Sequence, residues 1–207
     1  LEGLAIYAKD VINTPDYDGI SVLAETLRIN DLRRSIIAKK LIDKGADCNY
    51  TFNSGNLINA SILILAIKTQ DKELIRLILS KTNNVNEYVT YLEGNNLRKI
   101  TPLMHLFEFT KDLTEYDDIV KILLEKGADP KKKSNYWDSN YEGTPLHCIA
   151  QKNNKTLYNL LKQYGGDSKL PDSEGHTPFE ILAGFCENDA DRLFLAYEEK
   201  EDANRPL

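Results

Sequence analysis

One ending recurs along this chain. Residues 41–49 read LIDKGADCN, residues 123–129 read LLEKGAD and residues 160–167 read LLKQYGGD. Residues 77–86, LILSKTNNVN, are a weaker copy. A matching opener precedes each ending: Gly19-Ile20-Ser21-Val22-Leu23, Ser61-Ile62-Leu63, Thr101-Pro102-Leu103 and Gly143-Thr144-Pro145-Leu146-His147. A fifth opener, Gly175-His176-Thr177-Pro178-Phe179, follows the last ending. Repetition on this scale argues against one large core. Each unit is a single supersecondary motif that cannot bury its apolar face alone, so it must stack on its neighbours.

The residue types say what each unit is. Ser or Thr at the opener can accept a backbone N–H bond and cap a helix start. Pro beside it suits the first helical position, where a missing N–H costs nothing. Gly45, Gly127 and Gly165 follow the Leu/Ile pairs, where a left-handed residue ends a second helix. The Leu and Ile positions give each helix one apolar stripe.

The pattern resembles the ankyrin repeat, in which a turn carrying Asp and Gly leads into T-P-L-H-x-A and a second helix ends in L-L-x-x-G-A-D-x-N. Thr144-Pro145-Leu146-His147 keeps that opener intact. Asp172 to Pro178 keeps the Asp-x-x-Gly-x-Thr-Pro spacing, and Asn13, Asp16, Gly19 and Ser21 keep the family's spacing in the first unit. The resemblance covers nearly the whole chain. It implies an all-α solenoid of five helix-turn-helix units with extended inter-repeat turns, some of them short β-hairpins. The expected organisation is a single domain over 1–207, with a partial N-terminal unit at 1–12. Repeats follow at 13–49, 50–86, 87–131, 132–169 and 170–200, and the last helical stretch, with Phe194 and Leu195, forms a cap.

Opener spacing shows where this chain departs from the family. Ser21, Ser61, Thr101, Thr144 and Thr177 are separated by 40, 40, 43 and 33 residues. The family unit is about 33 residues, so three intervals carry a surplus. Aligning both ends of each unit places part of it between paired helices, near 30–35 and 111–116. The rest lies in the turns at 51–59, 87–99 and 132–142. Those turns hold Phe52, Tyr88, Tyr91, Tyr136, Tyr141 and the single tryptophan, Trp137, and Tyr50 directly precedes the first of them.

Composition excludes several function classes. The net charge is −6, with 26 basic against 32 acidic residues, whereas a nucleic-acid-binding domain usually presents a basic face. No apolar run nears the roughly 18 residues of a membrane helix. Three cysteines, Cys48, Cys148 and Cys186, make no disulfide framework and point to a reducing, cytoplasmic compartment. The chain opens at Leu1 without a signal-peptide pattern, its only methionine is Met104, and it reads as a fragment of a longer protein.

No catalytic, cofactor or metal constellation is expected. Adjacent helical residues point about 100° apart, so His147 and Cys148 do not face each other as a nucleophile pair. The three histidines and three cysteines lack zinc spacing. Phosphate-loop, nucleophile-elbow and zincin motifs are absent. Lys131-Lys132-Lys133 beside Tyr136-Trp137 is the one basic cluster; it reads as a solvated loop first, a patch for an acidic protein second and a nucleic-acid site last. His105 is displaced by one from the family's His position and reads as a packing residue.

The resemblance implies a protein-binding module whose contacts come from turn tips and the ends of first helices. Carried onto this sequence, those positions include Tyr17, Asp18, Ile20 and Arg28 in the first unit, and Ile58 and Lys68 in the second. Arg98, Glu108 and Phe109 follow in the third, Tyr141 and Lys152 in the fourth, and Glu174 and His176 in the fifth. The turn aromatics Tyr88, Tyr91, Tyr136 and Trp137 join the candidates because Tyr and Trp dominate interface energetics. The opposing possibility, that they pack on their own loops, carries equal weight. Expected partners are proteins, with no nucleic acid, no membrane insertion and a monomeric chain. Irregular units and a Lys-, Asn- and Ile-rich composition suggest a bacterial effector or a viral ankyrin protein delivered into the host cytosol or nucleus. The alternative is a substrate-positioning domain of an enzyme whose catalytic domain lies outside these residues.

Overall fold

A computed structural model describes residues 11–136 and 140–186, together with Arg192, Ala196 and Lys200. Helices come in pairs. A leading helix and a following helix are α1 (Val22–Arg28) with α2 (Arg34–Asp43), and α3 (Ile62–Thr69) with α4 (Lys72–Lys81). Next come α5 (Pro102–Phe109) with α6 (Asp117–Glu125), and α7 (Pro145–Gln151) with α8 (Lys155–Gln163). The leading helix of a further pair is α9 (Pro178–Ala183). Its expected partner, with Phe194 and Leu195, lies outside the described residues, as do residues 1–10 of the partial first unit.

The openers cap the leading helices as their chemistry predicts. Hydroxyls of Ser21, Ser61, Thr101 and Thr177 accept the backbone N–H of Ala24, Ile64, Met104 and Glu180 at 3.2–3.3 Å. At the fourth opener the backbone N–H of Thr144 donates to His147 Nδ1 at 3.0 Å. The far nitrogen, Nε2, then donates to the His176 carbonyl of the next turn at 3.1 Å.

Leading helices pack against leading helices and following against following, forming two layers. The core runs between them: Leu23, Leu63, Leu103 and Leu146, each two residues after its opener, repeat one buried position from unit to unit, and Phe179 takes it, partly buried, in the last. A second thread joins the units at the turns. Asn13 accepts the Asp47 N–H at 2.7 Å and donates to the Gly45 carbonyl at 3.0 Å. Asn86 repeats this with Asp129 and Gly127. Gly127 has φ +90°, a conformation that favours glycine and frees its carbonyl for that bond.

The surplus residues build a sheet. Strands β1 (Thr51–Ser54) and β2 (Leu57–Ser61) form one hairpin; β3 (Val89–Glu93) and β4 (Asn96–Ile100) form the next. The hairpins pair with each other through Leu57↔Tyr91 and Ile58↔Thr90, giving an antiparallel sheet ordered β1-β2-β3-β4. The third long turn continues the pattern. Asn135 donates its N–H to the Lys99 carbonyl at 2.8 Å, and Ser134 bridges Gly143. The described part of the chain is therefore mostly helical, with hairpin strands in its turns.

Candidate functional site

Period-2 alternation of the hairpins decides what each turn residue meets. Leu57, Tyr91 and Arg98 pair across β2, β3 and β4 and share one face of the sheet. That face turns toward the ends of α3 and α5. Lys68, from the last turn of α3, places Nζ 5.2 Å from the centre of the Tyr91 ring. The Tyr91 hydroxyl bonds His105 Nε2 at 2.9 Å. His105 stacks on Phe109, one turn along α5, with ring centres 4.3 Å apart.

Arg98 closes the group. It forms an ion pair with Glu108, approaches Glu93 at 3.6 Å and donates Nε–H to the Asn135 carbonyl at 3.0 Å. Its guanidinium lies 5.9 Å from the Phe109 ring centre. Five expected contact residues, Lys68, Tyr91, Arg98, Glu108 and Phe109, are thus assembled from two units into one cluster.

Burial sets the electrostatics of this cluster. It lowers the His105 imidazole to about 3, with the Lys68 and Arg98 charges acting the same way. His105 is therefore neutral. Burial also lowers the Lys68 ammonium and raises the Tyr91 hydroxyl to about 12. Phe109 is 41% exposed, so the cluster reaches the surface through one aromatic face and one ammonium head.

The other expected residues separate. Tyr17, Asp18 and Arg28 are exposed in the first unit, with Arg28 paired to Glu25 at 3.0 Å. Lys152, Glu174 and His176 are exposed farther along the stack. Ile58 is exposed, but it lies on the sheet face opposite Tyr91. Trp137 lies outside the described residues.

Four expected contact residues turn inward instead. Ile20 is buried because its N–H is drawn to Asp16 Oδ1 at 2.8 Å, which turns its side chain into the core. Arg98 is buried by its ion pair. Tyr136 and Tyr141 pack edge to face with ring centres 4.9 Å apart. The Tyr136 hydroxyl donates to the Tyr141 hydroxyl at 3.0 Å, and Tyr141 donates to Asp172 at 2.6 Å. Burial raises both phenols well above the usual tyrosine range. Of the two readings of the turn aromatics, packing on the loops holds for this pair.

The basic cluster is partly absorbed as well. Lys132 donates to the Asn86 carbonyl at 2.6 Å and lies 4.2 Å from the Tyr88 ring centre. The Tyr88 hydroxyl donates to the Lys133 carbonyl at 2.7 Å. Sequence reasoning missed His105 as a cluster member. The available signal was its spacing: His105 and Phe109 are four apart on one helix and therefore share a face.

The described residues hold no group of three or more His, Cys, Asp or Glu that could bind a metal ion. No helix among them is long and apolar enough to cross a membrane. Cys48 and Cys148 are buried and Cys186 is partly exposed. Burial pushes the Cys48 thiol up to about 11 and the Cys148 thiol up to about 12.

Comparison with known proteins places this architecture. The family model for ankyrin repeats (3 copies) matches residues 32–134. The chain is an ankyrin-repeat protein. It is 33% identical over 146 residues to an ankyrin repeat protein of Rickettsia felis, covering 64% of this chain and 59% of that one. It is 34% identical over 68 residues to one of Rickettsia bellii, covering 33% of this chain and 38% of that one. Glycerophosphocholine phosphodiesterase GDE1 of Candida albicans is 24% identical over 195 residues, which are 92% of this ankyrin-repeat chain and 15% of the enzyme. The chain thus spans less than two thirds of the length of each of these relatives.

Proposed function

We propose that this ankyrin-repeat chain is a non-catalytic, monomeric protein-interaction module, one domain of five units over 1–207. It holds a partner protein on the face made by its hairpins and leading helices. Ankyrin repeats are generally protein–protein interaction modules. The observation that carries the reading is the cluster of Lys68, Tyr91, Arg98, Glu108 and Phe109. Two units hold these residues rigidly around a partly exposed aromatic ring, and such anchored aromatic and Arg positions concentrate binding energy. The long turns extend the same face.

The narrower reading is a module within a larger pathogen effector acting on a host protein in the cytosol or nucleus. Similarity to the two Rickettsia proteins and the Lys-, Asn- and Ile-rich composition support it. Affinity capture from host-cell lysate, with mass spectrometry, tests the module. Wild type should retain a defined protein that Lys68→Glu with Phe109→Ala loses while keeping its circular dichroism melt. Equal capture by both would move the binding face elsewhere.

A second reading has one observation in its favour. The likeness to a part of the GDE1 phosphodiesterase suits a substrate-positioning domain attached to a catalytic one. Sequencing the flanking gene separates the two readings, because flanks without catalytic motifs remove the enzyme-associated one.

A further inference from the structure

Exposed apolar side chains are not spread evenly along the stack. Of the eleven large ones among the described residues, seven lie between residues 11 and 37. Two of these seven occupy positions that the later units bury. Val22 directly follows its opener, as Ile62, Pro102, Pro145 and Pro178 do; those four are buried, whereas Val22 is 45% exposed. Ile37 precedes Gly45 by eight residues, as Ile119 precedes Gly127 and Leu157 precedes Gly165. Ile119 and Leu157 are fully buried, whereas Ile37 is 45% exposed. Leu41, four residues before Gly45, is only partly buried, although Leu123 and Leu161 at that position are fully so. A missing hairpin does not account for Val22, because the turn before Pro178 is equally short. Asp172 N–H bonds the His176 carbonyl there, as Asp16 N–H bonds the Ile20 carbonyl in the first unit.

What the later units have, and the first lacks among the described residues, is a helix pair on its preceding side. Val22 lies on α1, and Ile37 and Leu41 lie on α2, so the bare face spans both layers of the stack. The turn bonds point the same way. Asn86, the last residue of the second unit, donates to the Gly127 carbonyl and accepts the Asp129 N–H of the next. Asn13 makes the same two bonds to Gly45 and Asp47. In this register Asn13 closes a unit instead of opening one. Glu25 stands where Leu65 and Cys148 are buried, and Arg28 pairs with it at 3.0 Å, so the face carries no lone charge there.

We propose that the stack continues toward the N-terminus. A further helix pair, formed by the polypeptide immediately preceding Asn13, covers Val22, Ile37 and Leu41, just as α1 and α2 pack on α3 and α4. The interface is the one already repeated from unit to unit, in which each pair buries the apolar face of its neighbour. A family unit is about 33 residues, so the pair draws on residues 1–10 and on sequence upstream of Leu1. A second copy of the chain fits this face less well, because Asn13 already makes the bonds by which one unit joins the next in the same polypeptide. The inference stands apart from the protein-binding reading and lengthens the surface that reading uses.

Thiol labelling of the natural gene product, with its sequence upstream of Leu1, provides the test. Val22→Cys, Ile37→Cys and Leu32→Cys are compared in a Cys186→Ser background, with fully exposed Leu32, between α1 and α2, as the reference. In the natural product a maleimide should modify Val22→Cys and Ile37→Cys at least about tenfold more slowly than Leu32→Cys, because labelling needs an accessible thiolate. In the 1–207 chain the three should react at similar rates. Hydrogen exchange of the unsubstituted proteins gives a second readout that no mutation disturbs. Amides of α1 and α2 should exchange more slowly in the natural product than in 1–207, while those of α8 should match. Equal labelling of all three positions in the natural product, or equal exchange of α1 and α2 in both proteins, overturns the proposal. Protection that is lost on dilution, with a dimeric mass by light scattering, also overturns it and assigns the face to a second copy.

Discussion

Tyr141 donates its hydroxyl to Asp172 Oδ2 at 2.6 Å, tying the long turn of one unit to the turn of the next. The same Asp172 uses Oδ1 to accept the N–H groups of Glu174 and His176, each at 2.9 Å. Removing the Tyr141 hydroxyl therefore strips a partner from a buried carboxylate and from the Tyr136 hydroxyl at once. Tyr141→Phe should cost about 1–3 kcal/mol in urea denaturation, the range for leaving buried polar groups unsatisfied. Gly143→Ala should be harmful at the same place. Its new Cβ would lie 2.9 Å from Tyr136 Cε1 and 3.3 Å from Tyr141 Cε1.

The same bond carries a pH signature. Burial acts to raise the Asp172 carboxyl, but the Tyr141 hydroxyl and the His176 and Glu174 N–H groups outweigh it and hold it below its ordinary value. A carboxyl lowered in the fold contributes stability above its unfolded pKa, about 3.9, and loses it as pH falls through the folded value. The stability gap between wild type and Tyr141→Phe should be full at pH 6 and narrow below about pH 4. A gap constant from pH 6 to 3 would contradict the assignment.

His105 stays neutral at pH values where an exposed histidine takes up its proton. Its imidazole is lowered to about 3 by burial, with Lys68 and Arg98 adding to the effect. A histidine held neutral in the fold favours unfolding once pH drops below its unfolded pKa of about 6.5. Stability should therefore fall between about pH 6.5 and 3, and His105→Phe should flatten that part of the curve. By NMR the His105 ring carbons should not shift between pH 8 and 5.

The openers, the Gly-Ala-Asp endings and the helix pairs were all legible in the sequence because each rests on local chemistry. Ser61 caps α3 whatever surrounds it. The surplus was legible as length, but length does not say which residues of an inserted strand face inward. That depends on register: Leu57↔Tyr91 puts Tyr91 over His105, while Ile58, one residue on, faces away. A one-residue slip would exchange them. The family pattern puts Arg98 at a turn tip, which predicts a surface contact. Its burial follows from Glu108 and Asn135, residues 10 and 37 positions away. Tyr136 and Tyr141 were likewise invisible as a buried pair without Asp172.

Arg98 should be the costliest of the expected contact residues to replace. Its side chain is 9% exposed and that of Glu108 is 14% exposed. Breaking one partner from a buried pair typically costs about 3–5 kcal/mol. Arg98→Met should lower stability by about that amount in urea denaturation, while Lys68→Met should change it by less than about 1 kcal/mol. A double-mutant cycle with Glu108→Gln should show coupling of at least about 1 kcal/mol.

Thiol labelling separates scaffold cysteines from a reactive one. Burial raises Cys48 to about 11 and Cys148 to about 12, and only the thiolate is nucleophilic. In folded protein a maleimide should modify Cys186 first and the other two only on unfolding. Rapid modification of Cys148 in the folded chain would revive a catalytic reading.

The most direct test of the binding face is site-specific photo-crosslinking in cell lysate. Phe109→benzoylphenylalanine places the probe at the exposed edge of the cluster, and Lys121→benzoylphenylalanine places it on the following helix α6. The account predicts a discrete crosslinked protein from position 109, displaced by excess wild-type chain, and none from position 121. A displaceable product from position 121 alone would contradict it.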